Sequence, residues 1–351
     1  MKAQIASPVA VALTLIAVPV GPARANDSTA ANNSTAGLAA GGLVLTKSAD
    51  IEMKSEDLYI SEKLVRVRYS FVNTSPKDLT VTVAFPLPDI DANGHDDNMD
   101  VPVESATNFL GFTTMVDGKL VKMQVEQKAL VDGVDCTAVL LKHHVPLAPE
   151  LQATVDAVNR LPRAVQDELV KDGLASADDF DDGAGHGVQH HVVAHWTVKT
   201  TFYWTQTFPA GRPLAVEHRY TPSVGSFVST NLIDSSNGSD PDEVKSVSDE
   251  RKIYCVDDHL LSTVAAAFKA HPNDLSYHDE YIDYVLVTGA NWKLPIGDFR
   301  MTIDKGSAAN LVSFCGTGVT KTGPTTFQVH HTNFTPTSDV KVLLLIPRPN
   351  S

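Results

Sequence analysis

The sequence predicts a mainly β protein made of two antiparallel β-sandwich-like domains, with an inserted αα-hairpin and one further helix. Apolar and polar side chains alternate over many short stretches, Gly, Pro and Asn separate these stretches, and helical spacing interrupts the alternation near residue 150. The chain has 351 residues, of which 43% are hydrophobic and 20% charged, which suits two globular domains. We expect a first domain over 43–233, a linker at 234–250 and a second domain over 251–351.

The N-terminus is typical of a secretory signal. Lys2 precedes an apolar stretch from Val9 to Val20, and Ala23-Arg24-Ala25 fits the small-x-small pattern of a cleavage site. The stretch is too short and too often interrupted by proline to be a transmembrane anchor. We expect cleavage after Ala25, a signal peptide over 1–25, a flexible leader over 26–42, and a periplasmic or secreted protein without a transmembrane segment.

In the first domain, apolar residues recur at every second position of several predicted strands. The first strand carries Val65, Val67, Tyr69 and Phe71 on one face, and the next carries Val81, Val83 and Phe85. Turn-forming residues over 73–78 predict a hairpin between these two strands. Asp117-Gly118 predicts a second hairpin, and a further strand spans 192–205.

Helical spacing replaces the alternation over 150–175. Leu151, Val155, Val158 and Leu161 recur every three or four positions, and Pro162 suits the first turn of a second helix. We interpret this segment as the inserted αα-hairpin, with its apolar stripe facing the core. The Asp-, Gly- and His-rich residues 176–191 that follow are predicted to form a loop.

The second domain is predicted to contain one helix and several short strands. Asp257 or Asp258 can cap a helix that carries Leu260, Val264 and Phe268 on one face. The predicted strands are 281–288, 298–304, 310–315, 325–331 and 340–347. Trp292 is expected to fill the core of this domain.

Three cysteines in an exported chain indicate one disulfide and one remaining thiol. We expect Cys255 to pair with Cys315, because both lie in the C-terminal third at the edges of predicted elements. Cys136 then serves as a small buried apolar residue, since no basic neighbour would activate its thiol.

The strongest local motif is a possible calcium loop from Asp89 to Asp100. It fits the pattern D-x-[DN]-x-[DN]-G, in which oxygen ligands at alternate positions wrap around a hard cation. The predicted ligands are Asp89, Asp91, Asn93, His95 through its carbonyl, Asp97 and Asp100. The last ligand is Asp where Glu is usual, and an acidic surface loop explains the same residues, so both interpretations stay open.

Four histidines form a second candidate site, this time for a transition metal. His186, His190, His191 and His195 follow four aspartates, and imidazole with carboxylate suits zinc, copper or nickel. In a strand, however, His191 and His195 would lie about 13 Å apart at ~3.3 Å per residue. A polar loop that leads into a strand is the alternative.

Several short segments of the chain resemble a bacterial family of exported proteins that carry the domain of unknown function 4424. These segments are Gly42-Leu43-Val44, Ser61-Glu62-Lys63, Thr288-Gly289-Ala290-Asn291-Trp292, Pro295-Ile296-Gly297 and Val312-Ser313-Phe314-Cys315. The resemblance covers nearly all of the mature chain and implies no activity, cofactor or catalytic residue.

The N-terminal part, roughly residues 43–222, also looks like the vault/inter-alpha-trypsin type of β-sandwich domain. That likeness rests on Phe71-Val72-Asn73, Phe85-Pro86-Leu87-Pro88, Phe112 with Asp117-Gly118-Lys119, Phe208-Pro209-Ala210 and Val216-Glu217-His218-Arg219-Tyr220. It implies an interaction module.

These observations favour a non-enzymatic binding or envelope-assembly module. Calcium is the one cofactor that the sequence suggests, and the expected partner is an unknown protein or envelope component. The net charge of −14 argues against nucleic acid as a partner. The sequence contains no G-x-S-x-G, H-E-x-x-H or phosphate-loop motif. The alternative is a metal-dependent hydrolase that uses the His/Asp-rich segment 178–195.

Overall fold

The computed structural model describes residues 34–39, 42–92, 99, 101–181, 185, 187–233, 239–270 and 276–348. The strands are β1 Ser34–Ala39, β2 Gly42–Thr46, β3 Ile51–Ser61, β4 Leu64–Asn73, β5 Leu79–Pro86, β6 Ile90–Asp91, β7 Thr113–Val116, β8 Lys119–Leu120, β9 Gln124–Val131, β10 Val134–Asp135, β11 Ala175–Asp181, β12 Val188–Ala194, β13 Thr197–Phe208, β14 Pro213–Tyr220, β15 Gly225–Phe227, β16 Tyr277–Tyr284, β17 Ile296–Asp304, β18 Leu311–Phe314, β19 Thr320–Lys321, β20 Thr326–Phe334 and β21 Val340–Pro347. The helices are α1 Thr137–Lys142, α2 Gln152–Asn159, α3 Arg163–Lys171, α4 Pro241–Ile253 and α5 Asp258–Ala270, and a 3₁₀ turn spans Val287–Asn291. The mainly β class is confirmed.

The described strands form three larger sheets and one separate hairpin. The first sheet has the order β10-β9-β13-β5-β1-β2, with β6 also paired to β13, and the second has the order β19-β20-β17-β3-β4-β14-β7-β8. The third sheet has the order β15-β16-β21-β18, and β11 pairs only with β12.

One face of the eight-stranded sheet packs against both of the other large sheets. Phe85 of β5 meets His218 of β14 with ring centroids 4.7 Å apart. Tyr284 of β16 hydrogen-bonds to Tyr69 of β4, with 3.1 Å between the hydroxyl oxygens. The alternating residues predicted for β4 are therefore buried between sheets, as their period of two requires, and of those predicted for β5, Val83 and Phe85 are buried while Val81 is partly buried.

The hairpin predicted between β4 and β5 is wrong, because these strands belong to different sheets. β4 pairs with β3 and β14, whereas β5 pairs with β1 and β13. The turn at 73–78 carries the chain across the sandwich, held by Asn73 whose Nδ2 donates to the carbonyl oxygens of Lys77 and Phe208. The Asp117-Gly118 hairpin is confirmed, since both residues have the positive φ that its tight turn needs.

The helical predictions are confirmed at the αα-hairpin and at α5. Helices α2 and α3 lie within 150–175, and Asp257 Oδ1 caps α5 by accepting a hydrogen bond from the Leu260 backbone N–H at 2.7 Å. Three segments differ from prediction. β1 lies inside the predicted flexible leader, α4 occupies most of the predicted linker, and β11 with β12 replaces the loop predicted over 176–191.

Strands from both predicted domains share the eight-stranded sheet. β17 pairs in parallel with β3, from Asp298 opposite Ser55 to Ile303 opposite Ile60. Gly297 allows this approach, because a Cβ there would lie 2.6 Å from the Lys54 carbonyl oxygen. Trp292 is fully buried and its ring lies 4.5 Å from that of Phe71, so it packs on the first part of the chain. The division into two domains stays a prediction.

The third sheet separates two hydrophobic cores. On β21, Val342 and Leu344 belong to the large core, while Leu343 and Leu345 belong to a smaller core with Val264 of α5. A strand that is buried on both faces has a continuous apolar run, as Val340–Pro347 does. The neighbouring strand β16 therefore also presents one face to each core. Within the described parts of the chain, none of the helices has the length and apolar character needed to span a bilayer.

Candidate functional site

Only the first part of the predicted calcium loop lies within the described residues. Asp89 forms an ion pair with Lys199 at 2.8 Å, and burial raises the pKa of its carboxyl. Asp91 ends β6 and its Oδ1 accepts a hydrogen bond from the Thr197 hydroxyl at 3.0 Å. The other predicted ligands, Asn93, His95, Asp97 and Asp100, lie outside the described residues, so calcium binding stays a prediction.

The predicted histidine site falls on the β11–β12 hairpin. Asp178 lies opposite His191 and Asp179 opposite His190 in the antiparallel register, and His190 hydrogen-bonds to Asp179. His195 lies just beyond β12, while His186 is outside the described residues. Among the residues that are described, no three His, Cys, Asp or Glu side chains are grouped so that they could hold a metal ion.

The predicted disulfide between Cys255 and Cys315 is confirmed, with an S–S distance of 2.02 Å. Cys136 is a buried free thiol whose Sγ–H donates to the Ala129 carbonyl oxygen at 3.1 Å. Cys255 follows α4 at a distance of two residues, and Cys315 follows β18 directly. The disulfide therefore ties the end of α4 to the third sheet.

A groove lies between α4 and the β15–β16 edge of this sheet and encloses about 670 Å³. Its residues from α4 and the turn after it are Asp242, Lys245, Ser246, Asp249, Glu250, Ile253 and Tyr254, and its other lining residues are Phe227, Asn231 and Tyr281. We call it the α4 groove. Three carboxylates and one lysine line it, and Lys245 is already paired with Asp249 at 2.7 Å.

Helix α4 forms because its ends are well specified, although it has little apolar surface. Asp240 precedes Pro241 and its carboxylate accepts hydrogen bonds from the backbone N–H groups of Asp242 and Glu243. All thirteen residues of α4 are described, and Glu250 is the one that is buried. A helix whose single buried residue is a glutamate needs a specific partner for that carboxylate.

One such partner is Tyr281, which connects two buried carboxylates. Its hydroxyl lies 2.8 Å from Glu250 Oε1 and 3.1 Å from Asp279 Oδ2. Asp279 is fully buried on the same face of β16, and its Oδ2 also accepts a hydrogen bond from the Asn231 backbone N–H at 2.9 Å. We call Glu250, Tyr281 and Asp279 the open cluster, because Glu250 and Tyr281 line the groove.

Burial dominates the electrostatics of the open cluster. It raises the pKa of Asp279 to about 6, against the opposing effect of its hydrogen bonds to Asn231, Thr230 and Tyr281. The hydroxyl of Tyr281 has its pKa raised for the same reason, so it remains a hydrogen-bond donor. At neutral pH the cluster therefore holds buried negative charge beside the groove.

Aromatic rings form the apolar part of the groove wall. Phe227 meets Tyr281 edge-to-face with centroids 5.8 Å apart, and Tyr254 lies 5.3 Å from the same ring. Phe227 is directly opposite Asp279 in the β15–β16 register, so both side chains share the face that α4 covers. The groove thus combines rigid aromatic surface with carboxylates, as ligand sites often do.

A second carboxylate–tyrosine cluster lies on the opposite face of β16. Tyr284 donates a hydrogen bond to Glu56 Oε1 at 3.4 Å and shares one with Tyr69 at 3.1 Å. Glu56 is 1% exposed, and burial raises its pKa to about 8. We call Glu56, Tyr69 and Tyr284 the sealed cluster. Its carboxyl group is mostly protonated at neutral pH, so it can be buried without a counter-charge.

A smaller crevice of about 90 Å³ is also lined by Tyr254 and Tyr281. Its lining includes Asp89 and Asp283, which pair with Lys199 and Lys341 respectively. Because both aspartates are paired with lysines and the volume of the crevice is small, it suits a ligand less well than the α4 groove does.

Sequence reasoning missed the α4 groove. The linker prediction followed from the low apolar content of 234–250, which hid the helix. The signal was present in Asp240 before Pro241 and in the acidic residues of the first turn. β16 begins at Tyr277, four residues before the predicted strand, so Asp279 was left outside it.

Comparison with known proteins gives one family and a distant structural similarity. The family model described as Domain of unknown function (DUF4424) matches residues 31–343. A crystal structure of a "putative nutrient binding protein" from Legionella pneumophila is similar with a TM-score of 0.45 and 15% sequence identity, over 90% of this chain and 70% of that one. No curated protein matches the chain. The vault-type resemblance of residues 43–222 stays a prediction.

Proposed function

The chain belongs to the family of the domain of unknown function DUF4424, and we propose that it is an exported, non-enzymatic binding module. The observation that carries this proposal is the α4 groove, with its aromatic wall and its buried carboxylates. A groove of this size and lining suits a small ligand or a side chain of a partner in the cell envelope. The disulfide at the end of α4 supports an oxidising compartment.

Retention of a ligand by the purified protein tests the binding role. Ser246→Trp would fill the groove, because Ser246 is an exposed lining residue of α4. Ser248→Trp is the matched control, since Ser248 lines a separate cleft on the opposite side of the same helix. Small molecules released on denaturation are measured by mass spectrometry. We expect wild type and Ser248→Trp to retain the same compound and Ser246→Trp to lose it.

Equal retention by both tryptophan variants would contradict a ligand site in the groove, and the absence of any retained molecule would argue for an envelope partner instead. In the second case, crosslinking in intact cells with the same two variants replaces the mass measurement. Loss of the crosslinked partner only in Ser246→Trp would keep the binding role.

Export and cleavage are tested by the mass of the full-length protein expressed in a bacterium and purified from the periplasm. We propose cleavage after Ala25, which follows from the apolar stretch and the Ala23-Arg24-Ala25 pattern. The expected mass lacks residues 1–25 and reflects one disulfide. An uncleaved protein in the cytoplasmic fraction would contradict this proposal.

Calcium is proposed as a stabilising ion of the Asp89–Asp100 loop and not as a catalytic one. Asp89 already faces Lys199, so calcium would have to compete with that ammonium group. We expect 1 mM calcium to raise the unfolding temperature of the wild type and to leave Asp91→Asn unchanged. An equal response of both proteins would contradict a calcium site that uses Asp91.

A further inference from the structure

The smaller crevice, which Tyr254 and Tyr281 help to line, has lining residues from all three large sheets. Ile90 comes from β6 of the first sheet, Tyr220 from β14 of the second, and Asp283 from β16 of the third. Exposure falls along this lining, because the side chain of Asp283 is 41% exposed, whereas Ile90 and Tyr220 are 2% and 3% exposed. The crevice therefore has a polar mouth and a buried inner end.

The hydroxyl of Tyr220, at this inner end, has no hydrogen-bond partner among the described residues. Its ring is packed against other aromatic rings, with centroids 5.8 Å from Phe112 and 6.3 Å from Phe85, which hold the side chain in place. Tyr281 and Tyr284, in contrast, both donate hydrogen bonds to carboxyl groups. A buried hydroxyl that has lost water and gained no acceptor costs free energy. Tyr220 therefore offers a hydrogen bond that the described part of the protein does not use.

The rest of the lining favours a small, neutral occupant. Ile90 and Leu110 are both 2% exposed, so an ion at the inner end would lose its hydration without gaining a counter-charge. At the mouth, Asp283 and Lys341 already neutralise each other. The volume of about 90 Å³ is smaller than the roughly 150 Å³ of a cavity that takes benzene, so it holds about four or five non-hydrogen atoms. The crevice is a poorer site than the α4 groove for a charged or larger ligand, but these same properties suit a small neutral one.

We propose that the crevice binds a compact neutral molecule through a carbonyl group, as in a ketone or an ester, and that Tyr220 donates a hydrogen bond to the carbonyl oxygen. That oxygen supplies the acceptor that the phenol requires, and it brings no donor of its own into the apolar inner end. The apolar part of the ligand contacts Ile90 and Leu110. The crevice is a different cavity from the α4 groove, so this inference goes beyond the binding role proposed above.

Direct binding measurements with a matched pair of probes test the ligand class. 2-Butanone and propionate have nearly the same shape, but propionate has a charged oxygen where 2-butanone has a methyl group. Saturation-transfer NMR of the full-length mature protein at neutral pH measures both affinities. We expect 2-butanone to bind and propionate to bind at least about tenfold more weakly, because its charge would be buried without a counter-ion.

Two tyrosine variants locate the binding. Tyr220→Phe removes only the hydroxyl, and we expect it to weaken 2-butanone binding by about three- to tenfold, as the loss of one hydrogen bond implies. Tyr203→Phe makes the same change at a part-exposed position of β13, outside the crevice, and should leave the affinity unchanged.

Thermal unfolding separates a binding role of the Tyr220 hydroxyl from a structural one. Because this hydroxyl has no partner to lose among the described residues, we expect Tyr220→Phe to unfold at the same temperature as the wild type or at a higher one. If Tyr220→Phe does not fold, Ser223→Phe replaces it in the binding measurement. Ser223 is a part-exposed lining residue, so phenylalanine there fills the crevice and should abolish binding of 2-butanone.

Four outcomes would overturn the inference: no binding of 2-butanone, equal affinities for 2-butanone and propionate, equal weakening by Tyr220→Phe and Tyr203→Phe, or a lower unfolding temperature of Tyr220→Phe than of the wild type. The last outcome would show that the hydroxyl already stabilises the fold. All four are distinguishable from failure of the binding role in the α4 groove, which is read from the compound retained by Ser248→Trp and lost by Ser246→Trp.

Discussion

Of the three tyrosines of strand β16, Tyr281 and Tyr284 face opposite cores, and the comparison of their surroundings shows which of the two is accessible from a groove. Tyr284 contacts Glu56 in the sealed cluster, and Tyr281 contacts Glu250 and Asp279 in the open cluster. The chemistry is the same in both places, a phenol beside a buried carboxyl group. The difference lies in the number of carboxyl groups and in access to the groove.

The sealed cluster avoids buried charge because its carboxyl group keeps its proton. Burial raises the pKa of Glu56 to about 8, whereas Asp279 in the open cluster reaches only about 6. At neutral pH one cluster is therefore mostly neutral and the other is mostly charged. Access to a groove, and not burial alone, is therefore what makes the open cluster the candidate site.

Glu56→Gln is expected to have the largest effect on the pH dependence of stability, and it tests whether the Glu56 carboxyl group is protonated in the sealed cluster. Between pH 4.5 and 8 the unfolded chain releases the proton of Glu56 while the folded protein holds it, so the wild type loses stability as the pH rises. Over this pH range the free energy of unfolding of the wild type falls by up to about 5 kcal/mol, which corresponds to about 1.4 kcal/mol for each pH unit. Glu56→Gln should lack this component, which chemical unfolding at several pH values measures.

The difference in free energy of unfolding between Glu56→Gln and the wild type isolates this residue. Other buried groups cancel in that difference, including His218, whose pKa burial lowers to about 3 and which therefore destabilises the fold as the pH falls. A difference that does not change between pH 4.5 and 8 would show that Glu56 is ionised in the folded protein.

Removal of the disulfide is expected to have the second-largest effect on the free energy of unfolding, and it should also affect the open cluster. Cys255 and Cys315 are separated by 60 positions, so their crosslink contributes about 4 kcal/mol in the chain-entropy estimate. We expect the double variant Cys255→Ser/Cys315→Ser to unfold more easily and to retain less of the compound bound in the α4 groove, because α4 is tied to the sheet at this point. Dithiothreitol should lower the unfolding temperature of the wild type and leave the double variant unchanged.

A matched pair of tyrosine variants compares the two clusters directly. Tyr281→Phe and Tyr284→Phe each remove one hydroxyl from a buried carboxyl group, at a cost of about 1–3 kcal/mol. We expect Tyr281→Phe to reduce retention of the compound bound in the α4 groove and Tyr284→Phe to leave retention unchanged, since only Tyr281 lines the groove. An equal effect of both variants on retention would contradict a ligand site in the α4 groove.

The sequence predicts strands such as β4, β14 and β17 because their burial repeats every second residue, but it does not predict β3, which spans Ile51–Ser61. Its errors arise where pairing is decided over long distances. The turn at 73–78 looks like a hairpin, but Asn73 and its bonds to distant carbonyl oxygens direct the chain to another sheet. Likewise, nothing local predicts that β17 pairs in parallel with β3.

The α4 groove was harder to predict than the disulfide. Cysteines are few, so Cys255 and Cys315 could be paired from their positions at the edges of predicted elements in the C-terminal third. Glu250, in contrast, is one of many acidic residues in the chain, and its burial depends on Tyr281 across the groove. Residues that function through such contacts have no sequence signal of their own.

The central claim is that the open cluster is a ligand site and the sealed cluster is structural. Carboxyl-carbon NMR of protein labelled at Glu and Asp, titrated with the compound that the wild type retains, tests it most directly, with signals assigned from Glu56→Gln, Glu250→Gln and Asp279→Asn. We predict that the Glu250 and Asp279 signals shift and saturate together and that the chemical shift of Glu56 does not change, because Glu56 lies on the opposite face of β16 from the groove. Signals of Glu250 and Asp279 that do not respond, or that respond no more than Glu56, would contradict the claim.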